Sequence, residues 1–178
     1  MVIGIAGYKG SGKDTAGSVF INNYGFEHMS FAKPMKDLVS QIFDVDRFIL
    51  EGSDCKLRTL REDSKMGAYG MSPRKLLQEF GTGMRNIISK NIWVDMAMKQ
   101  CVPDENYVFT DVRFVNEVEA INNAGGFVIG IKRYGFNGDG HESEHALDNY
   151  VLPYIINNDG TMEELRGKVR KFCITKGF

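Results

Sequence analysis

The chain has 178 residues, 43% hydrophobic and 25% charged, which suits one globular domain with a sizeable core and argues against disorder or a fibrous repeat. A formal net charge of -1 supplies no global pull toward nucleic acid or anionic lipid, so neither a nucleic-acid polymer nor a membrane is an expected partner. Cys55, Cys101 and Cys173 form no C-x-x-C, which suits a reducing cytoplasm, and nothing approaches the ~18 consecutive apolar residues of a membrane span.

Val2 to Ala6 is a β-branched apolar run ending at Gly7, as expected of a strand buried on both faces of a parallel sheet rather than of a signal peptide. The spacing of Ala16, Val19, Phe20 and Tyr24 predicts a helix over 14–24, stopped by Gly25. A short strand is expected over 27–30, then a helix with Pro34 in its first turn, running to about Phe43. Residues 44–70 lack a clean period and read as an irregular or partly helical insertion facing a ligand.

Ser72-Pro73 predicts an N-cap and a first-turn proline opening a helix that ends at Gly81. A second helix is expected over 83–100, offering Met84, Ile87, Ile88, Val94 and Ala97 to the core. Strands over 107–110, 127–131 and 154–156 follow, with a helix over 116–123 between the first two. A glycine-rich polar segment over 134–147 precedes the last strand, and a helix over 161–173, capped near Asn158 or Asp159, closes the chain. This alternation gives an α/β fold of about five parallel strands with helices on both faces, its ligands at the carboxyl ends of the strands.

GYKGSGKDT, Gly7 to Thr15, lies between the first strand and helix and nearly matches the phosphate-binding pattern G-x-x-x-x-G-K-[ST], with Asp14 where the hydroxyl is expected. In such a P-loop the amides of Gly10, Ser11, Gly12 and Lys13 surround phosphate oxygens, and Lys13 reaches the β and γ phosphates. Asp14 or Thr15 would replace the usual magnesium hydroxyl, directly or through water. The plainer reading is a glycine-rich turn with a stray lysine.

Asp111 and Arg113 stand at the carboxyl end of a later strand, as a metal-linked carboxylate and a phosphate-binding arginine, or as a surface ion pair. Lys36, Arg74, Arg85, Lys132 and Arg133 are further phosphate-binding candidates, and each could equally be a solvated surface charge. Trp93 serves either the core or as a stacking face for a base; Gln78 either reads a base edge or faces water. HESEH, His141 to His145, matches the zinc-peptidase pattern H-E-x-x-H, but the preceding GFNGDG predicts a loop rather than a packed helix.

Taken in order, SGKDT, FAKPMKD, RKLLQEFGT, NIWVDM, TDVRFVNEVEAINNAGGFVIGIKR, HESEHAL and IINNDGTMEELRGKV resemble the bacteriophage deoxynucleoside monophosphate kinase family nearly end to end. In that family lysine-aspartate is an accepted ending of the phosphate loop. The resemblance implies a single P-loop domain of nucleoside-monophosphate-kinase type. A helical acceptor-binding region over about 34–105 would be inserted in it, and residues 133–147 would form a lid that includes HESEH.

It also implies transfer of the ATP γ-phosphoryl group to a deoxynucleoside monophosphate with Mg2+, in a phage-infected host's cytoplasm. Lys13, Arg113 and Arg133 would be catalytic, and Gly10 to Thr15 would bind ATP. Lys36, Arg74, Gln78, Arg85, Trp93 and Arg113 would serve the acceptor, and Asp14, Thr15 and Asp111 the magnesium. Base preference and oligomeric state stay open, a homodimer included. A phosphomevalonate-type acceptor or a nucleotide-hydrolysing switch protein are the alternative readings.

Overall fold

A computed structural model of the chain describes residues 1–51, 70–136 and 142–178. It divides into two compact units, Met1–Phe31 with Met98–Phe178, and Ala32–Ala97.

The first unit is built on β1 (Val2–Ala6), β2 (Glu27–Met29), β3 (Tyr107–Val112), β4 (Phe127–Lys132) and β5 (Tyr154–Asn157). They pair in parallel in the order β2-β3-β1-β4-β5. β1 is central and every one of its residues is buried, which is why its sequence is uninterruptedly apolar instead of alternating.

Side-chain alternation along β1 sorts the helices. Ile3 and Ile5 share a core with Ala16, Val19 and Phe20 of α1 (Lys13–Tyr24) and Leu165, Val169 and Cys173 of α7 (Met162–Lys176). Gly4, between them, lies against Ile121 of α5 (Val115–Asn123). Helices therefore cover both faces, as the strand-helix alternation predicts. Phe20, fully buried, anchors an aromatic cluster with Tyr24, Phe26 and Phe178, and its burial contributes roughly 1.5–3 kcal/mol. The chain passes from β1 outward to β2, returns to β3, and crosses to β4 on the other side of β1. The switch in direction falls beside the carboxyl end of β1, where the glycine loop begins.

The second unit holds α2 (Ala32–Phe43), a 3-10 turn over Arg47–Leu50 and α3 (Pro73–Ile87), packed around Val39, Val45, Leu50, Leu76 and Leu77, together with most of α4 (Ile92–Met98). Ser72 accepts from the Lys75 N–H ahead of Pro73, the expected capping. The end of α3 differs from expectation, because the helix passes through Gly81 and runs to Ile87. A Cβ at Gly81 would lie 2.5 Å from Met35 Sδ, so this glycine serves close packing and not termination. Ile87 and Ile88 are exposed instead of joining the core, and the turn at Ser89–Asn91 separates α3 from α4. The insertion read over 44–70 lies largely outside the described residues, beyond the 3-10 turn and Gly70.

The last helix is capped by Thr161, which exchanges hydrogen bonds with Glu164, instead of by Asn158 or Asp159. Cys101 and Cys173 are free thiols and Cys55 lies outside the described residues. Among the described residues, no helix is long and apolar enough to cross a membrane.

Candidate active site

At the carboxyl end of β1 the chain turns through Gly7, Gly10 and Gly12 at φ of +146, +80 and +103. A side chain would strain these angles, and the glycines let successive N–H groups turn toward one point. Gly12 is also the N-cap of α1 and carries no capping side chain, so the first amides of that helix are left to an anion. Lys13 folds over its own loop, its Nζ donating to the carbonyls of Gly7 at 2.6 Å and Tyr8 at 2.8 Å. A phosphate arriving there would take over a cation already poised above the amides.

Ser11 is fully buried and its hydroxyl has no hydrogen-bond partner among the described residues. Asp14 is exposed in the first turn of α1, where the helix dipole favours a carboxylate, and Thr15 beside it is half-buried. At the end of β3, Asp111 accepts from the Ser30 hydroxyl at 2.6 Å and from the Phe31 N–H at 3.0 Å. With both oxygens so engaged, it ties the turn after β2 to β3, and a metal would reach it most simply through water.

Two residues on, the Arg113 and Phe114 N–H groups donate to buried Glu117, at 2.6 and 3.0 Å, which caps α5 and fixes the backbone that carries the Arg113 side chain. Arg113 Nη1 is 3.4 Å from Ser143 Oγ on α6 (Glu142–His145), a long contact. Arg133, just past β4, lies over the Phe136 ring at 4.8 Å, and that ring also covers Gly10, where a Cβ would come within 2.6 Å. The Tyr8 hydroxyl of the loop donates to Asp148 at 2.5 Å, and His145 Nδ1 is 2.9 Å from the same carboxylate. The Tyr8 bond first, and then His145, hold the Asp148 carboxyl below the usual aspartate value. The polar segment after β4 is thus fastened to the glycine loop at both of its described ends.

His145 in HESEH spends its Nδ1 on Asp148, while His141 lies outside the described residues. Among the described residues no group of three or more His, Cys, Asp or Glu could hold a metal. Asp14, Thr15 and Asp111 offer oxygen atoms, the ligand type that a magnesium ion takes.

In the second unit, Arg74, Gln78 and Arg85 follow one another on α3 at intervals of four and seven residues, which places them on one half-buried stripe. Lys36 on α2 is paired with Glu51 at 2.6 Å, and Arg47 bridges Glu51 and Asp37. For Glu51, burial favours the neutral acid, but Lys36 and Arg47 outweigh it and keep the carboxyl below its ordinary value. Lys36 must exchange this partner before it can hold a phosphate. Trp93 is 4% exposed, packs on Phe80 and donates its indole N–H to the Gly81 carbonyl at 3.1 Å. It is a packing residue, and it acts on the stripe by holding α3 in place.

Sequence reasoning missed Tyr8, Asp148 and Asn158. Asn158 is buried, and its side-chain amide donates to the Ser11 carbonyl of the loop at 2.8 Å. A polar residue directly after an apolar strand, at the carboxyl edge of the sheet, was the available signal.

Sheet order, glycine loop and the lysine at the start of α1 define a P-loop α/β fold, and a solved structure shares that fold. Dephospho-CoA kinase from Campylobacter jejuni superposes with a TM-score of 0.57 over 99% of this chain and 98% of its own, at 15% identity, a likeness of fold alone. The family model for deoxynucleotide monophosphate kinase matches residues 56–169. An Acanthamoeba polyphaga mimivirus protein carrying that family's name is 32% identical over 95% of this chain and 94% of its own length. The chain belongs to the deoxynucleotide monophosphate kinase family. The deoxynucleotide monophosphate kinase of Escherichia phage RB69 is 35% identical over a shorter match, 56% of this chain and 44% of that enzyme.

Proposed function

We propose that the protein is an ATP-dependent kinase that moves the γ-phosphoryl group of ATP onto the 5′-phosphate of a deoxynucleoside monophosphate, giving ADP and a deoxynucleoside diphosphate. The observation that carries this reading is the Gly7–Thr15 loop at the switch point of the sheet, in a chain that belongs to this family. In the transfer the bond between the γ phosphorus and the β–γ bridging oxygen breaks, and one forms to an acceptor phosphate oxygen. That oxygen is already ionised at neutral pH, so no strong general base is needed and the work falls to positioning and charge neutralisation.

The loop amides and Lys13 hold the donor phosphates. Lys13 exchanges the Gly7 and Tyr8 carbonyls for β and γ oxygens, so the charge developing in transfer meets a cation that needs little reorganisation. Arg113 and Arg133, at the ends of β3 and β4, serve the transferring group. Arg113 also serves the acceptor phosphate, with Lys36, Arg74 and Arg85, and Gln78 reads the base. Asp14, Thr15 and Asp111 would hold magnesium, directly or through water, and the ion would supply charge neutralisation at the phosphates. The lid expected over 133–147 lies partly outside the described residues, and Arg133 and Phe136 at its start, beside Gly10, would help keep water from the phosphates.

The reading is tested by following a γ-labelled phosphate of ATP. The label is expected in the β position of the deoxynucleoside diphosphate, one for each ADP formed. Release as free phosphate at the same rate with and without acceptor would overturn it.

A further inference from the structure

β5 ends at Asn157, and the next side chain turns inward, so that Asn158 is 5% exposed. Its backbone N–H donates to the Lys132 carbonyl at 2.7 Å, extending the β4–β5 pairing by one bond. Its side-chain Nδ2 donates to the Ser11 carbonyl at 2.8 Å, and a Cβ on Gly12 would lie 2.6 Å from the same nitrogen. The sheet edge is thus bonded to the middle of the phosphate loop by one amide whose backbone is itself anchored.

The Ser11–Gly12 peptide needs such an anchor. A trans peptide points its carbonyl and the following N–H in opposite directions, so the direction of the Ser11 carbonyl decides where the Gly12 N–H is aimed. Flipping that peptide changes φ at residue 12, and glycine accepts either sign there, so the loop backbone does not choose by itself. Among the described residues the buried Ser11 hydroxyl makes no bond that could choose for it.

We propose that Asn158 is a positioning residue for phosphoryl transfer: by holding the Ser11 carbonyl it presents the Gly12 N–H to the donor phosphates before they arrive. This rests on reading the loop as the donor-nucleotide site. Asn158 acts through the loop, so its removal weakens ATP binding and turnover while leaving the acceptor's KM in place.

The test compares Asn158→Ala and Asn158→Asp with the parent enzyme. Asp keeps the shape but sets a carboxylate against a carbonyl. ATP affinity is measured by calorimetry without acceptor, kcat and both KM values by ADP formation, and the Gly12 amide resonance with and without ADP. The expected result is a fall of about 10- to 100-fold in kcat/KM for ATP, since one preorganised donor is lost. The KM for the nucleoside monophosphate should stay within about threefold, and the Gly12 amide should lose its ADP-induced shift.

Acidification should partly restore ATP affinity to Asn158→Asp, because the protonated acid can again donate to Ser11. Should Asn158→Ala fail to fold, the isosteric Asp variant and its pH dependence carry the test. Parental ATP affinity in a folded variant overturns the inference, as does an equal loss for both substrates accompanied only by a lower melting temperature. Because ATP affinity is read without acceptor, a parent protein that binds ATP yet phosphorylates no deoxynucleotide would sink the kinase reading while leaving this inference testable.

Discussion

Helix α1 has a left-handed glycine at each end, and the two ends should respond differently to the same methyl group. Gly12, the N-cap, has φ +103 and Gly25, the C-cap, has φ +69. Alanine at either position carries the cost of left-handed backbone, about 1–2 kcal/mol. At Gly25 nothing lies within 4 Å of the new methyl, so the backbone term is all there is. At Gly12 the methyl would sit 2.6 Å from Asn158 Nδ2 and 2.8 Å from Leu165 Cδ2, both in buried side chains with little room to retreat. Overpacking of this kind adds about 1–3 kcal/mol, for a total near 2–5 kcal/mol.

In a protein of this size 1 kcal/mol moves Tm by about 2–4 °C. Thermal unfolding should therefore show Gly25→Ala lower by a few degrees, and Gly12→Ala lower by roughly 4–20 °C and unable to bind ATP. Equal shifts in the two variants would refute the claim that Asn158 and Leu165 press on the loop. So would a Gly12→Ala protein that keeps parental ATP affinity.

The nucleotide loop should tolerate loss of its lysine structurally but not catalytically. Lys13→Ala is expected to fold and to lose several orders of magnitude in turnover, measured by ADP release, whereas near-normal turnover would remove Lys13 from the mechanism. Arg113→Ala should cut kcat or raise the acceptor's KM by about 10³-fold or more, with ATP affinity nearly unchanged in calorimetry, and a selective loss of ATP affinity would contradict its placement. The second unit should soften in acid. Burial raises the pKa of both Asp37 and Glu51, but Arg47 with Lys33 at the first, and Lys36 with Arg47 at the second, bring them below their ordinary values of 3.8 and 4.5. Carboxyls held lower when folded stabilise the fold above those ordinary values, and that stability is lost as pH falls beneath them toward the folded pKa. Arg47→Ala should flatten the acid limb of a Tm-against-pH curve, and an unchanged limb would show that these pairs contribute nothing measurable.

Central strands and the phosphate loop were legible because their signals are local. A buried parallel strand must be apolar throughout, and a loop that turns its amides inward needs glycine, so Val2–Ala6 and Gly7–Thr15 announce themselves. Gly81 misled because glycine has two uses. Its place near the end of an apolar period looks like a helix stop, and only Met35 of α2, packed against it, shows that a methyl was excluded. Asn158 misled for a similar reason, since a polar residue before a helix suits a cap. Thr161, with Glu164 three residues on, was the better cap and left Asn158 for the loop. The partners of Tyr8 and Lys36 could not be read at all, because Asp148 and Glu51 come to them only through the folded chain.

Phosphoryl transfer to a deoxynucleotide is decided by ADP formation from ATP and magnesium with dTMP, dGMP, dCMP, dAMP, their ribose counterparts and phosphomevalonate offered separately, beside a control without acceptor. Turnover should depend strongly on one or more of the deoxynucleotides, and the same data give the base preference and the strictness toward ribose. ADP formation that ignores the acceptor, or that follows phosphomevalonate alone, would contradict the account.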